Sequence, residues 1–130
     1  MFSLKNLDAK PVIALRLGLG FVLIYAGASI LANPESWIGY VPQWVGKIAA
    51  PETFLMAHGV FELILGVLML TGFFLPIASL ILFLDMGTIL LFYGVDDVTF
   101  RDFGLLMSAL ALFLLSVKKK LTVVSRDGRR

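Results

Sequence analysis

Four ionisable side chains stand inside apolar runs: Arg16, His58, Glu62 and Asp85. A charge at the centre of a lipid bilayer costs about 2.5–3.5 kcal/mol on insertion scales. Three such charges left apart would cost on the order of 8 kcal/mol, so they are expected to meet inside the protein. His58 and Glu62 are four residues apart and adjoin on a helix. Arg16, Glu62 and Asp85 carry one surplus negative charge when all are ionised. A proton on one carboxylate, or a protonated His58, would balance it. Two chemistries fit these residue types. One is a buried polar pocket that holds a proton or the head group of an amphipathic ligand. The other is a structural ion-pair network that fixes helix register.

The pattern argues against several other chemistries. One His and one Glu on one turn fall short of the three or four ligands that zinc or non-haem iron prefers, so no metal site is expected. No glycine-rich loop follows a strand, which removes dinucleotide and P-loop readings. The chain has no cysteine, so it carries no thiolate metal site, iron–sulfur cluster or disulfide exchange. No catalytic motif is complete, and no cofactor is implied by composition.

The elements that must position these groups read as an all-α integral membrane four-helix bundle. The chain is 59% hydrophobic and 15% charged, against about 45–50% and 25% for soluble domains. Its mean hydropathy is +0.95. Four spans are expected, at 11–31, 54–70, 74–92 and 101–117, forming one domain. Each is about long enough at 1.5 Å per residue to cross some 30 Å of hydrocarbon. Pro11 suits a helix first turn. Gly20, Leu23 and Gly27 share the Arg16 face and form a small surface for close packing. On the second span, His58, Gly59, Glu62, Gly66 and Met69 share one face. The third carries Asp85 near its centre. The fourth opens with Arg101 and Asp102 and bears a small-residue stripe of Gly104, Ser108 and Ala111. Gly27, Gly66, Arg101, Asp102, Gly104 and Ser108 are the expected helix-packing or partner-facing positions.

Residues 33–52 are too polar and too broken by Pro34, Pro42 and Pro51 to span. Trp37, Tyr40 and Trp44 are interface-loving aromatics. This partly structured interfacial loop is either a plain membrane anchor or an outer lid over a pocket mouth. Residues 118–130 read as a basic, mobile cytoplasmic tail that begins at Lys118-Lys119-Lys120. Lysines and arginines concentrate at the two ends, which places both termini on the cytoplasmic side of the cytoplasmic membrane. An N-terminal signal peptide is the rival reading of the first span, with Ala26-Gly27-Ala28 as a cleavage site, but Arg16 interrupts its apolar core. The small net charge of +2, placed at the ends, suits a membrane surface and not nucleic acid.

The chain resembles the DoxX family of small four-span membrane proteins along nearly its whole length. The resemblance is carried by Leu15-Arg16-Leu17-Gly18 through Ala26-Gly27, by Phe61-Glu62-Leu63 through Gly66 to Gly72, and by Arg101-Asp102-Phe103-Gly104. Many members have a lysine where this chain has Ile30. The family includes the DoxD-type subunit of a thiosulfate:quinone oxidoreductase. The resemblance therefore implies a membrane subunit of a quinone-linked redox complex, with quinone as ligand near Arg16, His58, Glu62 and Asp85 and a separate redox subunit as partner. Two alternatives stay open. One is an assembly factor or chaperone for other membrane proteins, docking them on the Gly104 stripe. The other is a small proton-coupled transporter or lipid-binding protein, which would act as a homo-oligomer.

Overall fold

The computed structural model describes residues 10–97 and 99–129. The polar lead with Lys5, and Arg130, lie outside them. The described residues form four long helices: α1 (Lys10–Ala32), α2 (Pro51–Thr71), α3 (Leu75–Phe92) and α4 (Phe100–Asp127). No strand occurs among them. Proline sits in the first turn of α2 and of α3, where no intrahelical donor is lost.

Each helix packs against its neighbours in sequence, and α1 also meets α4, which closes the ring. Among the described residues, the diagonal pairs α1 with α3 and α2 with α4 make no close backbone contact. The result is an up-down-up-down bundle. Its core takes Leu19 and Leu23 from α1, Leu65 and Met69 from α2, Ala78 and Leu82 from α3, and Ala109 and Leu112 from α4.

The tightest seam joins α1 to α2. Gly20 faces the Gly66 carbonyl, and Gly27 faces the Gly59 carbonyl. Two glycines seven residues apart on each helix therefore meet their counterparts in antiparallel order. Removing the side chains lets the backbones approach, which is how helices gain packing energy where lipid is as apolar as leucine.

The α2–α3 turn needs its glycine for two reasons. Gly72 ends α2 in the left-handed conformation, at φ 79°, and a Cβ there would stand 2.7 Å from an Arg16 guanidinium nitrogen. Phe74 takes a second left-handed step at φ 51°, and α3 starts at once. At the opposite end, Asp96 and Thr99 close the α3–α4 loop reciprocally. The Thr99 N–H donates to Asp96 Oδ1 at 2.7 Å, and the Asp96 N–H donates to Thr99 Oγ1 at 2.8 Å. Tyr93 adds its hydroxyl to Asp96 Oδ2 at 2.9 Å, a bond that raises the pKa of the phenol.

The fourth helix does not end at the lysine run. It continues through Lys118–Lys120 to Asp127, because no glycine or proline interrupts it before Gly128 and lysine is a good helix former. The expected tail is thus a helical extension for most of its length.

The outer surface is apolar on every helix. Phe21, Ile64, Leu91 and Leu114 are each more than half exposed, far beyond what a water-soluble monomer leaves uncovered. All four helices are long and apolar enough to cross a membrane.

Candidate functional site

The loop end of the bundle, where residues 33–50 cross over, holds a cavity of about 760 Å³. Its wall is mostly apolar, with Leu23, Ile30, Leu82 and Ile89 among its residues. Two short 3-10 helices, Pro34–Tyr40 and Gln43–Lys47, bring Trp37, Tyr40 and Trp44 into its lining. Trp37 donates its indole N–H to Ser29 Oγ at 3.3 Å. Ring contacts then tie the crossing to the end of α3: Tyr40 to Tyr93 at 4.9 Å and Trp44 to Phe92 at 6.0 Å between centroids. All three aromatics of this segment line the cavity.

The polar groups gather on the floor. His58 and Glu62, one turn apart on α2, pair through Nε2 and Oε1 at 3.2 Å. From α3, Asp85 turns Oδ1 towards the other imidazole nitrogen, Nδ1, at 4.0 Å. His58 thus stands between two carboxylates, with its ring against Phe54 and Phe61 at 6.0 Å. The Glu62 side chain is 6% exposed and that of Asp85 16%. Their second oxygens, Glu62 Oε2 and Asp85 Oδ2, are buried with no hydrogen-bond partner among the described residues. An unmade bond to a buried charged oxygen is costly.

Counting donors along one helix turn left the third of them out. A ligand atom from each of His58, Glu62 and Asp85 lies within 4.8 Å of the others, because α3 packs Asp85 beside α2. The cost of isolated buried charges signalled that these groups would meet, but not that one atom from each would come this close.

Arg16 is not in this cluster, and the expectation that it reaches Asp85 or Glu62 is corrected. Its Nε donates to Met69 O at 3.0 Å and its Nη2 to Leu70 O at 2.9 Å. The α1–α2 register decides this. With Gly20 opposite Gly66 and Leu70, Arg16 lies one turn beyond, at the C-terminal end of α2. The open carbonyls there form the negative end of the helix dipole. Glu62 lies about 10 Å further along α1's direction. Arg16→Met should destabilise the protein by about 2 kcal/mol through loss of the two charge-assisted bonds, and Arg16→Lys by less. Unfolding titrations in mixed detergent would measure both. Ligand binding at the floor should be unchanged in either variant.

The other expected positions separate into three groups. Gly27 and Gly66 are buried in the α1–α2 seam. Arg101 and Asp102, at the start of α4, line the cavity. Gly104 is exposed, with nothing within 4 Å of a Cβ placed there. Ser108 donates its hydroxyl to the Gly104 carbonyl of its own helix at 2.7 Å.

Comparison with protein-family profiles matches residues 12–94 to the family described as DoxX. That stretch covers α1 to α3 and holds His58, Glu62 and Asp85. The chain belongs to the DoxX family. With four apolar helices of spanning length, this DoxX protein is a multi-pass membrane protein whose outer surface meets lipid. Searches of curated proteins and of solved structures give no match.

Proposed function

We propose that this DoxX protein is the quinone-binding membrane subunit of a redox complex. The observation that carries the reading is one cavity with two unlike parts: an apolar, aromatic-lidded chamber and a buried His–carboxylate floor. Its volume of about 760 Å³ is in the usual range for small-molecule sites. A prenylated quinone has the same division. Its ring and tail suit the apolar wall, and its carbonyl oxygens accept hydrogen bonds from the protonated member of the floor.

Reducing a quinone to a quinol takes up two electrons and two protons. His58, Glu62 and Asp85 are a proton store in contact with the chamber. The electrons come from a partner protein that carries a flavin or metal centre, since a chain without cysteine holds no thiolate-bound redox centre. The start of α1 at Lys10 and the end of α4 at Asp127 both belong to the turn end of the bundle. The basic extension from Lys118 onward favours that end as cytoplasmic, which puts the aromatic lid on the outer face of the cytoplasmic membrane.

The test is gentle extraction of the full chain from native membranes, followed by mass spectrometry of lipids and proteins. Wild-type protein should retain about one quinone per chain. Glu62→Gln should lose at least tenfold of it without loss of helicity. Quinone-free wild-type protein whose thermal midpoint is also indifferent to added quinone would end this reading.

A further inference from the structure

We propose that His58, Glu62 and Asp85 bind a divalent first-row transition-metal cation at the cavity floor. The donor set is one imidazole nitrogen and two carboxylates, which suits zinc, ferrous iron or their probe cobalt(II). It offers no thiolate, so it disfavours cuprous ions. The donors are also near the right spacing. Ligands about 2.1 Å from one ion stand roughly 3.0–4.2 Å apart, and here the three lie within 4.8 Å of one another.

The two orphaned oxygens separate this reading from its rival. In the rival, a protonated imidazole bridges the carboxylates, using Nε2 to Glu62 Oε1 at 3.2 Å and Nδ1 to Asp85 Oδ1 at 4.0 Å. Glu62 Oε2 and Asp85 Oδ2 are then left buried with nothing to bind. A cation held through Glu62 Oε2 and Asp85 Oδ2 would give both of these oxygens a partner. It also balances their two charges, with the imidazole neutral as a ligand must be. Arg16 does not serve here, because both of its bonds go to α2 carbonyls.

Three protein ligands leave at least one coordination position free. Such a set is the mark of a site that takes an exchangeable ligand, whereas structural sites are closed by four. The free position opens on the chamber, where an oxygen atom of the chamber's occupant can complete the shell. The cation depends on the floor alone, not on quinone being that occupant.

The decisive experiment uses the full, untagged chain in lipid nanodiscs, stripped with chelator and titrated with cobalt(II). Wild-type protein is expected to bind one equivalent, with visible ligand-field bands unlike those of the aqueous ion, and zinc should displace it. Glu62→Gln, Asp85→Asn and His58→Gln should each bind at least tenfold more weakly. Absence of a stoichiometric cobalt spectrum in the wild type overturns the proposal whatever the variants do. So does wild-type affinity in two folded variants. Quinone content, read by mass spectrometry on the same samples, is a separate result. Cobalt binding in protein that neither holds quinone nor shifts its thermal midpoint on adding it supports the cation and ends the quinone reading, and quinone without cobalt does the reverse.

Discussion

Gly27→Leu is expected to leave no stable bundle, while Gly18→Leu, nine residues earlier on the same helix, should be tolerated. A Cβ on Gly27 would lie 2.7 Å from the Gly59 carbonyl oxygen and 2.9 Å from Leu63 Cγ. Relaxed carbon–oxygen contacts stand at about 3.3–3.6 Å. The obstacle is helical backbone, so no rotamer relieves it and α1 must move away from α2. That motion also separates Gly20 from Gly66, because the two contacts belong to one rigid seam. Gly27→Ala should already cost about 1–3 kcal/mol, the usual range for overpacking. Leucine exceeds what the seam can absorb. Gly18 has nothing within 4 Å of its Cβ position, and a leucine there improves helix propensity by up to about 1 kcal/mol. Unfolding in dodecyl sulfate and protease resistance in liposomes would compare the two. Equal stability of Gly27→Leu and wild type would mean that the glycine seam does not hold the bundle together.

The contrast between these glycines shows what a sequence can and cannot reveal about such a chain. Spans are legible because a membrane demands long apolar runs, and Gly72 marks a turn because little else adopts its backbone. The shared face of Gly20, Leu23 and Gly27 is also legible, since helical periodicity fixes which residues lie together. Register between helices is not, because apolar spans of similar length can slide without changing the pattern. That is why Arg16 was expected near the carboxylates. Its true partners are the Met69 and Leu70 carbonyls, and no residue type advertises an open backbone carbonyl. The cost of isolated buried charges did point Asp85 towards His58 and Glu62, but not to the atoms that face one another. The lysines at 118–120 mislead differently. The apolar run stops there, but hydrogen bonding ends the helix only at Gly128. Membrane exit and helix end are set by different forces.

Replacing the floor with hydrocarbon should separate function from stability. The triple substitution His58→Phe, Glu62→Leu and Asp85→Leu is expected to raise stability by about 1–4 kcal/mol, as when buried ionic groups give way to packed apolar ones. The sign follows from the geometry. Each carboxylate keeps one buried oxygen unpartnered, so in the apo protein the cluster returns less than its desolvation costs. Phenylalanine at 58 would extend the ring contacts with Phe54 and Phe61, and the leucines would join the apolar wall. Glu62→Leu alone should gain less, because His58 then keeps only the longer contact to Asp85 at 4.0 Å. The triple variant should bind neither quinone nor cobalt. Unfolding titrations of ligand-free protein, paired with the two binding assays, would read both effects. If the triple variant is instead less stable than wild type by several kcal/mol, the cluster is a staple that fixes the register of α2 and α3. A stabilised but ligand-dead protein would mean that these three side chains are retained at a cost to the fold, for what the cavity holds.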